Sequence, residues 1–225
     1  MSLAGRGAVA IWHDIAPEGR EDFYAWHGSE HMPERAAVPG FLRGRRYVAI
    51  EGASEFFNLY ETTSTDVLSS RGYLDRLNAP TPWTQAAVLH FRDVARSLCE
   101  VAATHGHGEG GLVATFRYDV ADDRADAHRA QAAAALEALA RSPGIAGAHL
   151  LVADEAASTV MTAEKRARGG STAVPRWIVL VEGWGDEVPF VAATHAFARS
   201  EVFAAARESA DLAIYRLQNT CVAGR

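Results

Sequence analysis

Two stretches of the chain recur at one constant offset, and this limits the possible folds more than any other feature. GAVAIW, from Gly7 to Trp12, returns as GLVATF, from Gly111 to Phe116, a shift of 104 positions. The same shift lays PGFLRGRRYVAIEGAS, from Pro39, over PGIAGAHLLVADEAAS, from Pro143, with seven of sixteen positions identical. Two matches without a change of offset point to an internal duplication. Beyond them EFFNLYET, from Glu55, matches RWIVLVEG, from Arg176, at a shift of 121, which pairs Glu61 with Glu182. The extra residues fall in TVMTAEKRARGGSTAVP, 159–175, a polar, glycine-containing stretch without periodicity that reads as an enlarged hairpin loop. A last match, SLCEV over NTCVA, sets Cys99 opposite Cys221.

Each copy reads strand, helix, strand, strand, helix, strand. In the first, strands are expected at about 8–14, 42–51, 55–62 and 92–101, with a helix over 20–37 stopped by Pro39-Gly40. A second helix, capped at Ser64 or Thr65, is interrupted by the prolines of NAPTPW and resumes at Thr84. The second copy repeats the order, with helices over 124–141 and 189–209. The expected organisation is therefore 1–103 as one ferredoxin-like βαββαβ repeat and 112–225 as a second, degenerate one. THGHGEGG, 104–111, joins them as a glycine-rich linker. A four-stranded sheet with helices on one face leaves its other face bare, so two such sheets in one chain can cover each other. The expected fold class is α+β, a pseudo-dimeric barrel of two repeats packed sheet to sheet.

The net charge of −6 gives no general attraction to nucleic acid, and Arg43, Arg45 and Arg46 are too few to reverse it. MSLAGRGAVAIWHD lacks a basic segment followed by a long apolar run, and no eighteen consecutive residues are apolar. Neither secretion nor a membrane span is expected, and the cytoplasm is the expected location. Cys99 and Cys221 read as small buried hydrophobes rather than as a redox or metal pair.

Particular residues then carry a resemblance. They are Trp26-His27, His31-Met32-Pro33-Glu34-Arg35, Val38-Pro39-Gly40-Phe41, Arg46-Tyr47, Tyr60-Glu61 and the run from Leu77 to Thr84. With both halves, they resemble the dimeric α+β barrel superfamily, particularly its EthD-like and uncharacterised bacterial branches. That superfamily includes monooxygenases, isomerases, cyclases, haem proteins and proteins without known activity, so fold analogy does not choose a reaction. The second half has AHRAQAAAALEALA in place of the histidine motif, which puts the candidate site in the first half.

His27 and His31, four apart, share one helical face beside Glu30 and Glu34. The spacing lacks the HExxH pattern and a third ligand, so a packing pair or a general acid-base at a cleft competes with a metal, and no metal site is assigned. His13 ends the first strand, where either it or Trp12 faces the barrel. Phe41, Arg43, Arg45, Tyr47 and Ala49 share one face of the second strand, fitting an enclosed polar pocket or surface ion pairs. Glu61 needs a partner, with Arg92 or Arg46 available for a salt bridge. His105 and His107 lie among glycines that hold nothing rigidly. Lys165, Arg166 and Arg168 are either a mobile lid or a solvated loop.

Two functions follow. One is a cofactor-independent lyase, isomerase, cyclase or oxygenase of a small, apolar carbonyl or aromatic compound, with His31 or His13 as acid-base. In it Tyr47, His27 and Glu61 line the substrate site and Trp12, Trp26 and Trp83 form an apolar wall. The other is a non-catalytic binding or assembly module, signalled by a barrel plugged by Trp12 and Phe116. Haem would need an axial ligand in a large pocket, and no histidine is singled out for that. Pairing of two chains would bury residual apolar surface.

Overall fold

Alternation along the first strand builds two cores at once. In β1 (Gly7–Ile15), Ala8, Ala10 and Trp12 point one way and Val9, Ile11 and His13 the other, and both sets are buried apart from the half-buried Ile11. The computed structural model describes residues 3–206, 208 and 210–224. The other strands are β2 (Phe41–Glu51), β3 (Phe56–Thr62), β4 (Phe91–Gly106), β5 (Leu112–Tyr118), β6 (Ile145–Ala153), β7 (Trp177–Gly183) and β8 (Asp211–Val222). They close into one barrel in the order β1-β3-β2-β8-β5-β7-β6-β4. All neighbouring strands pair antiparallel. Each half thus contributes four contiguous strands, and the halves join by main-chain hydrogen bonds at β2–β8 and β4–β6 rather than by two bare faces stacking. Closure removes the free edges.

Helices cover the outer face. In the first half they are α1 (Arg20–Trp26), continuing through a π-helical turn at His27–His31 into α2 (Met32–Ala36), then α3 (Arg71–Asn78) and α4 (Pro82–Ala87). Ser70 caps α3 and Thr81 caps α4, in place of the cap expected at Ser64 or Thr65. The second half carries α5 (Ala125–Leu139), α6 (Glu155–Thr159), α7 (Ala163–Arg168) and α8 (Glu187–Ala198). The stretch expected to be an unstructured hairpin loop therefore contains α7 and the end of α6, capped by Thr162 and Asp154 side chains that accept from the Lys165 and Ala157 amides. Thr104, His105 and Gly106, expected in a linker, are strand residues opposite His149, Ala148 and Gly147.

The pairing corrects one register. Gly7 of β1 lies opposite Thr62, whereas Leu112 of β5 lies opposite Gly183, the residue matched to Thr62. The first strands correspond one residue later than the 104 shift placed them. Because strand side chains alternate, that slip exchanges faces. Trp12 therefore corresponds to Arg117, whose guanidinium carbon lies 5.0 Å from the Trp12 ring, and Phe116 belongs to the outer core. The cysteine match also fails: Cys99 faces Ala8 and Ala153, whereas the matching positions Val113 and Ala49 face Tyr215, so Cys99 corresponds to Tyr215 and not to Cys221.

The barrel interior is filled. Trp12, Tyr47, Phe57 and Tyr215 pack across it, with Trp12 and Phe57 stacked at 5.0 Å. At one end Arg43 holds Glu61 at 2.6 Å, and Arg45 lies between Glu61 at 3.0 Å and Glu182 at 2.9 Å. No helix among the described residues is long and apolar enough to cross a membrane.

Candidate functional site

The first-half histidines meet on the outer face, between the sheet and its helices. Acidic residues in the first turn of α1 suit its dipole, and Phe23 and Trp26 seat it on the sheet. Pro33 cannot donate to the carbonyl one turn back and would crowd it, and the widened turn at His27–His31 relieves that clash. The two imidazoles it carries stack at 5.4 Å with 22° between planes, and the indole of Trp26 covers His31 at 4.4 Å. From β3, Asn58 and Tyr60 rise on the same face, two residues apart.

The hydrogen bonds fix the tautomers. Arg46 Nη1 donates to His27 Nδ1 at 3.2 Å, so His27 Nε2 carries the proton and donates to the Tyr60 hydroxyl at 3.2 Å. His13 Nδ1 donates to the Asp14 carbonyl, leaving Nε2 to accept from Asn58 Nδ2 at 2.8 Å. Two buried atoms are left over: His31 Nδ1 and Asn58 Oδ1 have no partner. Burial holds His13 down at about 3; the bond to the Asp14 carbonyl opposes the shift in part, while the charges of Arg168 and Arg46 add to it. Burial together with Arg46 and His13 keeps His27 well below the usual imidazole range, and burial with Arg35 and His27 does the same to His31. All three are neutral at physiological pH.

His27, His31, Trp26, Asn58 and Tyr60 border a cavity of about 40 Å³. Ile11, Val88 and Phe91 complete its apolar wall, and Arg96, Glu164 and Arg168 its polar one. A hole of this size holds one or two waters, whereas ligand pockets run to several hundred Å³. A porphyrin does not fit the residues as placed. The cavity is roofed by α7, from the second half: Glu164 forms an ion pair with Arg35, and Asn78 Oδ1 accepts from the Ala163 amide at 3.1 Å.

The residues expected to form one site fall into three places. His31, His27 and Trp26 border the cavity, and His13 stands behind Asn58 rather than at the barrel rim. Trp12, Tyr47 and Glu61 do not join them, because they project from the opposite face of the same sheet into the barrel. Glu61 is paired with Arg43 and Arg45 instead of Arg92 or Arg46. A bulge between Phe41 and Arg43 turns Phe41 to the outer core, so it does not share a face with the arginines. Trp83 is half-buried, clear of the cavity, donating to Asp22 at 2.8 Å. Lys165 is tied to the Ser158 carbonyl at 2.7 Å, while Arg168 reaches the cavity. Asn58, Arg96 and Glu164 were not singled out from the sequence. Asn58 was legible as the one amide in the apolar run FFNLYET, whereas Arg96 and Glu164 depend on tertiary folding. No group of three metal-ligating side chains occurs among the described residues.

No family model and no curated protein matches the sequence. Solved structures do match in fold. An anthrone oxidase-like protein superimposes over 100% of this chain and 97% of its own with a TM-score of 0.64 at 14% identity. A proposed monooxygenase from Lactobacillus acidophilus covers 97% of each chain with a TM-score of 0.55 at 8% identity. A proposed chlorite dismutase covers 96% of each at 0.55 and 10%. The chain therefore shares the α+β barrel fold of these structures.

Proposed function

We propose that the chain is a cofactor-independent enzyme that removes a weakly acidic proton from a small, largely apolar carbonyl or aromatic compound in the cavity beside His31. The observation that carries this is the buried, unpartnered Nδ1 of a neutral His31, set against an aromatic wall. Lyases, isomerases, cyclases and oxygenases of such compounds have one step in common, loss of a proton next to a carbonyl or from a phenol to leave an oxyanion. His31 accepts that proton. A depressed basicity keeps it unprotonated at neutral pH, and the anion formed beside it offsets the cost of the imidazolium. The Tyr60 hydroxyl, which accepts from His27, has its own proton free to donate to substrate oxygen, and His13 orients Asn58. Substrate entry requires α7 to lift.

Among the four classes, oxygenase has the support of the monooxygenase-like fold neighbours. The EthD-like subdivision rests on the Trp26 to Arg35 motif. Internal duplication rests on the recurring segments and on two equivalent runs of four strands, and cytoplasmic location and pairing of chains complete the reading. The test is oxygen uptake with anthrone, which yields anthraquinone and water from one O₂. His31→Gln, which keeps a polar side chain under Trp26, is expected to lower kcat by about 10²-fold or more. Unchanged kcat in a folded His31→Gln protein would refute the assignment. The second reading, a binding or assembly module without turnover, is favoured by the plugged barrel and a cavity of only about 40 Å³.

A further inference from the structure

The chain treats its arginines in two ways. Inside the barrel Arg43 and Arg45 are each matched by glutamates. At the outer-face cavity Arg35 takes both Glu34 and Glu164. Arg96, Arg168 and Arg46 form no ion pair with an acidic group among the described residues and bond only neutral acceptors. Arg96 donates to the Tyr73 hydroxyl at 2.8 Å, Arg168 to Thr172 Oγ1 at 2.6 Å, and Arg46 to Gln218 Oε1 at 2.7 Å. Glu164 favours the charge on Arg168 from beyond ion-pair distance, but its carboxylate is committed to Arg35. Arg168 Nε is buried and has no acceptor. Glu30, on the same helical run as the histidines, is turned to Thr81 and Thr84. Arg96 and Arg168 are half-buried, and a guanidinium partly withdrawn from water gains from an anion, its planar fork matching a carboxylate.

We infer that Arg96 and Arg168 form the receptor for an ionised carboxylate, carried on an aromatic or apolar body that occupies the wall made by Trp26, Tyr60 and Phe91. This deepens the reading of the site as a substrate pocket and rests on it for the location. The unopposed field is felt by the neighbours: burial lowers Lys165, and Arg96 and Arg168 lower it further. With α7 closed, about 40 Å³ admits the carboxylate alone, so α7, which brings Arg168, moves with the ligand. The second half thereby supplies an anion-binding group and the first half the histidines.

The experiment is calorimetric titration and thermal denaturation of the full chain with sodium benzoate, 2-naphthoate and the neutral benzamide, at constant ionic strength. Saturable carboxylate binding that raises Tm is expected, with no benzamide response. Arg168→Gln is expected to weaken it at least tenfold and Arg168→Lys less, and Arg96→Gln gives an independent loss if one variant does not fold. Absence of carboxylate binding, equal binding of benzamide, or affinity unchanged in both Gln variants overturns the inference. Failure of the enzyme reading is separable. Benzoate binding without oxygen uptake refutes turnover and leaves the receptor, whereas anthrone turnover indifferent to benzoate refutes the receptor and leaves the enzyme.

Discussion

Three neutral imidazoles packed between sheet and helices make acid the most informative perturbation. A histidine whose folded pKa lies below its unfolded value contributes its full stability above about pH 6.5 and loses it as pH falls toward the folded value, about 3 for His13. Protonation then favours the unfolded chain. For a group that stays neutral when folded, lowering pH from 7.5 to 5.5 costs about 1.4 kcal/mol. His13, His27 and His31 are all lowered, which gives about 4 kcal/mol. That is a large part of the roughly 5–15 kcal/mol typical of a domain, and corresponds to a fall in Tm of about 8–16 °C at this chain length. Burial lowers His128 in the second half as well, which adds in the same direction. Urea unfolding at pH 7.5, 6.5 and 5.5 reads the effect directly. His13→Gln and His27→Gln should each remove about 1.4 kcal/mol of the pH-dependent part, whatever they do to stability at pH 7.5. A loss under about 1.5 kcal/mol in the unmodified chain, or the same pH dependence in both variants as in that chain, would show that these rings are not held neutral.

A second acid transition belongs to the barrel interior. Burial would raise Glu182, but His149 and Arg45 outweigh it and hold its carboxyl at about 2, so its contribution is present above about pH 4.5 and lost as pH falls toward 2. Glu182→Gln leaves Arg45 with Glu61 alone and should cost about 3 kcal/mol by urea unfolding at pH 7, and an effect under about 1 kcal/mol would mean the network relaxes. Glu164→Gln loosens the clasp on Arg35, which Glu34 only partly replaces, at about 2 kcal/mol of lid stability. Hydrogen exchange at the Arg166 and Gly169 amides, which bond back within the α7 segment, should then quicken about 30-fold with no change in β1, and equal quickening everywhere would contradict a local lid.

The order of elements and the position of the histidine helix were legible because a constant offset and a Pro-Gly stop survive without knowledge of contacts. Facing was not. GAVAIW over GLVATF scores on Gly, Val and Ala, small residues that either side of a strand accepts, and the true register is one residue away. That single step sent Phe116 to the helices and brought Arg117 over Trp12. Likewise the polar 159–175 stretch has no apolar stripe to betray a helix. Its helices are held by caps at Asp154 and Thr162 and by contacts to Asn78 and Arg35, residues of the other half of the chain.

The pleat explains why one candidate site became two separate environments. Trp12 and His13, Phe57 and Asn58, Tyr60 and Glu61 are adjacent in sequence and lie on opposite sides of the sheet. The inner members form an aromatic plug and an ion network in which Arg43 and Arg45 are matched by glutamates, which suits a rigid interior. The outer members are neutral histidines and an amide, beside Arg96 and Arg168, which no carboxylate among the described residues meets within ion-pair distance. Unsatisfied atoms cost stability on both sides, Arg45 Nε and the Tyr47 hydroxyl inside and His31 Nδ1, Asn58 Oδ1 and Arg168 Nε outside, but the outer ones lie at a cavity, where a ligand can satisfy them. The lid follows the same division. It grows from the β6–β7 hairpin of the second half, whose own helix layer has Val179 and Val181 at the positions matching Asn58 and Tyr60, and it closes over the first. One half carries the polar floor and the other supplies the roof, so neither half forms the closed cavity alone.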